Sequence, residues 1–181
     1  MKKILCMALA CMFLLTACKG NVDISNKPKY EGYDMNTGID LNSPKTYLVD
    51  DNSTDYTIVI SDTSSETDQF AASELSQFVL QATGVNIPIK NETEVSSDKI
   101  ISIGNTQKFS GLDITLDPVE LNYDGFIIKT KGNSVFINGH NERAKLYGVY
   151  DFLERFVGVK FLAPDATYVP SIDELYIHQM D

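Results

Sequence analysis

The chain has 181 residues, of which 25 are acidic and 15 basic, so its formal net charge is −10. This balance argues against nucleic acid or an anionic membrane surface as a partner, because both require a basic footprint. The length suits one domain of ordinary size together with shorter segments.

The N terminus predicts export and lipidation. Lys2 and Lys3 precede an apolar stretch at 4–15 that is too short to span a bilayer. The next residues, LTAC, match the lipobox of bacterial lipoproteins, in which the cysteine is acylated and the signal is cut before it. We therefore predict a lipoprotein signal peptide at 1–17 and a lipidated Cys18. An ordinary signal peptide with an accidental cysteine remains the alternative.

Residues 18–45 follow as a polar segment without a sustained period, which predicts a flexible tether from Cys18 with a reach of roughly 30 Å and allows a loosely docked end. The protein is then expected in the bacterial cell envelope, anchored to a membrane by lipid and exposed outside the cytoplasm. The other two cysteines, Cys6 and Cys11, lie in the signal, so the body has no disulfide and no cysteine metal site.

The body begins with strands at 46–49 and 56–61, and the second is apolar enough to be buried on both faces. A helix follows up to Thr83, with Gly84 as its left-handed end. Its start stays open between two capping boxes, because Thr63 with Glu66 and Ser65 with Asp68 both have the required spacing.

The middle of the chain is predicted as mostly strand. Residues 86–90 form an edge strand because Pro88 lacks an amide donor, and 99–103 form a buried one. Residues 106–122 are expected to be irregular. A hairpin then joins 124–130 to 134–138.

The last third contains one strongly patterned helix. Asn141 is a good N-cap, and Gly158 ends the helix. Gly148 costs roughly 1 kcal/mol against Ala inside a helix, which predicts close approach to a sheet. A half-buried strand at 159–162 and a final strand at 174–178 complete the body.

Together these elements predict an α/β (α+β) fold with two layers. A mixed sheet of six to seven strands is covered on one face by two main helices.

Catalytic signatures are weak. Asp117, Asp124 and Asp165 are the carboxylates considered for glycoside hydrolysis, but each fits a turn or a strand end, so no catalytic residue is assigned. His140 lies between a strand end and a helix start, where ligand sites cluster, although a loop imidazole bonded to backbone is the simpler reading; His178 is predicted to be structural. No cofactor or metal motif is present, so neither is expected.

Sugar binding often uses aromatic platforms, and this chain has no Trp but nine Tyr. Tyr147 and Tyr150 are predicted to be core residues. The tyrosines that we expect at the surface are Tyr30, Tyr33, Tyr47 and Tyr168. No ligand-binding residue is assigned among them.

In chain order the motifs resemble the accessory domain that precedes the catalytic barrel of α-glucuronidases, and its relative in β-N-acetylhexosaminidases. The matching segments are YTIVIS (56–61), AASELSQF (71–78), KIISIG (99–104), DGFIIKTKGNSVFING (124–139) and LYGVYDFLERFVGVKFLAP (146–164). The resemblance covers about 46–181. It departs where relatives often have Gly before the second helix and this chain has Ala144 and Lys145, which puts a close backbone contact there in doubt.

The resemblance implies an accessory domain of a surface-anchored glycoside hydrolase-type lipoprotein, inactive alone. A barrel needs about 250 residues, and we expect none in a chain that stops at Asp181, so the family's catalytic residues have no positions here. Its partners would be the membrane through Cys18 and a glycan or a separate catalytic barrel. A free-standing glycan- or partner-binding surface lipoprotein is the alternative.

Overall fold

A computed structural model describes residues 38–180. The helices are α1 (Glu66–Thr83), α2 (Gln107–Ser110), α3 (Pro118–Leu121) and α4 (Glu142–Phe152). The strands are β1 (Ile39–Asp40), β2 (Thr46–Val49), β3 (Thr57–Ile60), β4 (Ile89–Asn91), β5 (Ile100–Ile103), β6 (Phe126–Lys131), β7 (Ser134–Gly139), β8 (Lys160–Ala163), β9 (Ala166–Tyr168), β10 (Leu175–Ile177) and β11 (Gln179–Met180).

The central sheet has five strands in the order β4-β3-β5-β7-β6. Its first four strands are parallel, and β6 is antiparallel to β7 through the predicted hairpin. The remaining strands form antiparallel pairs, β1 with β11, β2 with β10 and β8 with β9. The predicted α/β class, mixed sheet and two main helices are confirmed, while the strands assigned to one sheet divide into a five-stranded sheet and these pairs.

The two faces of the sheet are covered by different elements. Alternate side chains such as Ile58, Ile101 and Ile137 join the buried core under α1 and α4. On the other face, the Phe136 ring lies 6.4 Å from that of Phe109 in α2. The chain therefore leaves β3 and β7 towards one face, and leaves β5 towards the other.

Helix α1 resolves the choice between the two capping boxes. Ser65 is the N-cap, with its hydroxyl accepting from the Asp68 amide and the Asp68 carboxylate accepting from the Ser65 amide. Gly84 ends the helix with φ of 75°, as predicted.

Helix α4 begins at the predicted Asn141 cap, whose Oδ1 accepts from the Ala144 amide at 2.9 Å. A Cβ added to Gly148 would lie 2.8 Å from Cγ2 of Ile137, so the predicted close approach to the sheet is confirmed. The helix continues as a π-helical turn, Leu153–Val157, which ends at Gly158 with φ of 85°.

Several sequence expectations differ from the structure. Residues 106–122 contain α2 and α3, whose four-residue lengths leave too few turns for a helical period to show. Of the strand expected to be half-buried at 159–162, Val159 is buried, but all four residues of β8 are exposed, and within residues 38–180 β8 pairs only with β9. The docked end that the sequence allows for the tether is seen at β1, which pairs with β11, and the signal peptide and the tether up to residue 37 lie outside the described residues. Among residues 38–180, no helix combines the length and the hydrophobicity needed to cross a bilayer.

Candidate functional site

The carboxyl ends of β3, β5 and β7 meet the N termini of α1 and α4 at one edge of the central sheet. Ligands in open α/β sheets bind where neighbouring strands send their connections to opposite faces. The end of β5 is such a point, because its connection leads to α2 while those of β3 and β7 lead to α1 and α4. This edge, marked by Gly104 and His140, is therefore where the fold would place a site.

Polar side chains at this edge bond to one another. Asn138 donates its amide to Asn105 Oδ1 at 2.9 Å. Glu92 accepts from the Ser61 hydroxyl at 3.1 Å and from the Gln107 backbone amide at 2.6 Å. These bonds connect the segments that follow β3, β4 and β5. The polar groups that make them are therefore engaged in holding these segments together.

A buried ion pair joins the two main helices beside this edge. The Lys145 ammonium lies 3.0 Å from Asp68 Oδ1 and donates to Asp68 Oδ2 at 3.2 Å, and each side chain is only 6% exposed. Oδ1 makes no hydrogen bond of good geometry in the described chain, so its contact with the ammonium is a charge interaction alone. The ammonium also donates to Glu142 at 3.4 Å. Since Asp68 already caps α1, this cluster fixes the two helix N termini relative to each other.

The pKa of the Glu142 carboxyl is lowered, chiefly by a hydrogen bond from the Ser65 hydroxyl and further by the charge of Lys145. Both partners stabilise the ionised form. Glu142 is thus held as a carboxylate across the same helix–helix contact.

The departure from the resembling family at Ala144 and Lys145 has a structural explanation. A Cβ added to Gly139 would lie 2.6 Å from the Ala144 Cβ, so the close approach is made by Gly139 against a small side chain. Lys145 supplies the buried cation of the ion pair. A close backbone contact is therefore present, between Gly139 and the first turn of α4.

The sequence candidates at this edge have structural contacts. Asp124 accepts two hydrogen bonds from the Arg143 guanidinium, at 2.8 and 2.9 Å. Asn141 also donates its side-chain amide to the Tyr123 carbonyl. His140 is exposed, and its backbone amide donates to the Gly125 carbonyl at 3.2 Å. These contacts hold the segment before β6 against the start of α4.

The other candidates are not brought to this edge as a catalytic group. Asp117 caps α3 by accepting from the Val119 amide at 2.7 Å, and Asp165 is an exposed residue of the turn between β8 and β9. His178 follows β10, and its Nδ1 lies 2.8 Å from the Ser43 carbonyl oxygen. Across residues 38–180, no three His, Cys, Asp or Glu side chains group as metal ligands.

The exposure of the described tyrosines agrees with the prediction except at Tyr147. Tyr47 and Tyr168 are exposed as expected, at 41% and 56%. Tyr150 is half-buried against the core, donating its hydroxyl to Glu74 at 3.0 Å. The prediction that Tyr147 is a core residue is wrong: it is 41% exposed, because it points away from the sheet and lies near Arg143. Cys18, Tyr30 and Tyr33 lie outside the described residues.

Comparison with known proteins identifies the domain. A family model described as the N-terminus of glycosyl hydrolase family 67 matches residues 45–152. The chain belongs to this family. The match runs from the residue before β2 to the end of α4, so it includes the carboxyl edge and the buried ion pair.

Curated relatives of the family 67 domain are fungal enzymes. Alpha-glucuronidase A of Emericella nidulans is 32% identical over 114 residues, covering 61% of this chain and 13% of that protein. The probable alpha-glucuronidase A of Neosartorya fischeri is 28% identical over 125 residues, covering 68% and 15%. The chain thus spans about a seventh of the length of these relatives.

Among solved structures, the chain is similar to a GH20 beta-N-acetylhexosaminidase from Streptomyces coelicolor A3(2). The TM-score is 0.50 at 11% identity, with 82% of this chain and 26% of the other covered. At this identity the likeness concerns the fold alone. The resemblance drawn from the sequence motifs to an α-glucuronidase accessory domain is confirmed by the family match.

Proposed function

We propose that this family 67 domain is a non-catalytic accessory module of a lipid-anchored glycoside hydrolase system in the bacterial envelope. The observation that carries the proposal is the family match over 45–152. The module supports a hydrolase acting on O-glycosyl bonds, the class of activity that the names of its curated relatives imply.

The contacts of the candidate carboxylates favour an accessory role for the domain and not a catalytic one. Hydrolysis with two carboxylates needs them to face each other about 5 to 9.5 Å apart across a sugar. Asp124 is held by Arg143, and Asp117 caps a helix. Asp165 lies in a hairpin turn. We therefore assign no catalytic residue, and we place the catalytic groups on a separate barrel.

Anchoring is the second part of the proposal. Cys18 would carry the lipid after removal of residues 1–17, and the polar segment at 18–45 would hold the domain near the membrane. The net negative charge does not assist binding to anionic lipid, so attachment would depend on the acyl chains. Metabolic labelling with radioactive palmitate tests this: the protein should be labelled in the membrane fraction, and Cys18→Ser should lose the label. Equal labelling of the variant would contradict the assignment.

The proposal of an accessory module is tested by the DNA that follows codon 181 and by the neighbouring reading frames. We expect a glycoside hydrolase barrel there, in the same frame, as a frame-shifted remnant or as an adjacent gene. An intact neighbourhood without such a barrel would favour the alternative, a free-standing surface lipoprotein that binds a glycan or a protein partner.

A further inference from the structure

A cleft of about 300 Å³ lies where β1 and the residues after it meet β10 and the π-helical turn that follows α4. Aliphatic side chains from both ends of the described chain line it, among them Ile39, Leu41 and Ile172, and Phe156 adds an aromatic ring. Its volume is at the lower end of the range for small-molecule sites, which are apolar with a few placed polar groups.

Four polar side chains also line this cleft: Arg155, Glu174, Tyr176 and His178. Arg155 donates to Asp151 at 3.2 Å, and its side chain is 8% exposed, so its charge is balanced inside the protein. Glu174 is exposed, and its carboxylate has no hydrogen bond or ion pair within residues 38–180. The cleft therefore offers a carboxylate that is available to a ligand.

The Ser43 carbonyl determines which nitrogen of the His178 ring carries a proton. Because a carbonyl oxygen only accepts, the bond of 2.8 Å requires a proton on Nδ1. In the neutral ring Nε2 is then an acceptor. The Tyr176 ring lies 5.9 Å from the imidazole at 87°, and Lys45 lies 3.7 Å from the centre of the Tyr176 ring on β10. The imidazole is thus held in place, and within residues 38–180 its Nε2 has no hydrogen-bond partner.

We propose that this cleft binds one neutral pyranose unit of a glycan. A pyranose combines an apolar C–H face, which suits Phe156 and the aliphatic wall, with hydroxyl donors for the Glu174 carboxylate and for Nε2 of His178. The Glu174 charge disfavours a sugar acid, because Arg155 is already paired with Asp151 and the Lys45 ammonium is engaged over the Tyr176 ring. The choice of a sugar rests on the proposed glycan-related function.

Saturation-transfer NMR with the 181-residue chain tests the assignment. The probes are methyl β-D-xylopyranoside and methyl β-D-glucopyranoside, compared with methyl β-D-glucopyranosiduronate. We expect saturable transfer to both neutral glycosides. The uronate should bind at least about tenfold more weakly, which equals the effect of losing one hydrogen bond to a charged group.

Two matched variants assign the effect to the cleft. Glu174→Gln keeps the shape but removes the charge, so neutral glycosides should bind about tenfold more weakly and the discrimination against the uronate should shrink. His178→Asn keeps a donor for the Ser43 carbonyl and removes Nε2, with a similar loss. Tyr168→Ala, exposed on β9 and outside the cleft, should bind like the parent chain. Far-UV circular dichroism identifies any variant that fails to fold, and the other variant then carries the test.

Absence of saturation transfer from both neutral glycosides would overturn the assignment, as would uronate binding equal to theirs. Parent-like binding by the two folded cleft variants would overturn it as well. None of these results bears on the accessory role, which is tested by gene neighbourhood and turnover.

Discussion

Replacing Lys145 by Met tests whether the buried ion pair fixes the two main helices. Methionine is similar in length but carries no charge, and Asp68, 4% exposed, would remain as a buried carboxylate without its cation. Breaking a buried pair from one side typically costs 3–5 kcal/mol. The α1 N terminus and the Ser65 amide still stabilise the Asp68 charge, so we expect a loss of about 3 kcal/mol in the free energy of unfolding.

The pairing itself is isolated by a double-mutant cycle. Asp68→Asn alone leaves the Lys145 ammonium with Glu142, at 3.4 Å, as its one remaining ion-pair partner within residues 38–180. The double variant with Lys145→Met and Asp68→Asn removes both charges, so it should lose less stability than the two single variants added together, by about 2 kcal/mol. Lys90→Met makes the same chemical change at an exposed position of β4 and should stay within about 0.5 kcal/mol of the parent.

Urea unfolding followed by far-UV circular dichroism measures these differences at neutral pH, since the chain lacks the tryptophan needed for a strong fluorescence signal. The slope against urea should stay constant across the four variants. A loss below about 1 kcal/mol for Lys145→Met, or simple additivity in the cycle, would refute the view that this pair joins the helices.

Three further predictions concern packing, capping and pH. Gly148→Ala should destabilise the protein by about 1 kcal/mol, since overpacking against the sheet costs about 1–3 kcal/mol and a gain in helix propensity of about 1 kcal/mol offsets part of it; a more stable variant in urea unfolding would contradict the close approach. Asn141→Ala should lower the free energy of unfolding by about 1 kcal/mol or more, and Asn141→Asp, which keeps the capping oxygen, should lower it less. Equal losses of stability in the two variants would show that the Asn141 oxygen does not cap the helix. Burial raises the pKa of both Tyr150 and Tyr56 from 10.0 to about 12, helped by Glu74 for Tyr150. A raised pKa contributes stability that is complete below pH 10 and lost as pH rises to 12, so unfolding measured from pH 9 to 11.5 should show a decline that each Tyr→Phe variant reduces; an unchanged decline in both would contradict the assignment.

The sequence predicts most of the architecture because its local signals agree with the packing. Asn141, Gly148 and Gly158 each carry a capping or close-approach signal that needs no tertiary information, and α4 begins and approaches the sheet as those signals require. The start of α1 stays ambiguous in sequence because two capping boxes fit. In the structure Ser65 is the cap, and its partner Asp68 is buried, which the local pattern does not show.

The buried ion pair escapes a search based on motifs, since its members are 77 residues apart in the chain. A weaker signal exists: Lys145 has the spacing to Val149 and Phe152, and Asp68 the spacing to Ala72 and Leu75, that places each on the buried face of its helix. A charge on the apolar stripe of each of two helices predicts a pair between them.

The cleft and the exposed β8–β9 hairpin are also missed, for a different reason. The cleft is formed by residues from the two ends of the described chain, which the antiparallel pairings of β1 with β11 and of β2 with β10 bring together. Alternation along residues 159–162 predicts a half-buried strand, but whether such a strand joins the central sheet depends on pairing that local pattern does not encode.

The central claim, that this family 67 domain supports catalysis without performing it, is tested most directly by turnover. The purified 181-residue chain is incubated with a chromogenic α-glucuronide and a chromogenic β-N-acetylhexosaminide, and release of the chromophore is followed against buffer. The account predicts a rate equal to that of buffer for both substrates. Turnover that Asp124→Asn abolishes would contradict it.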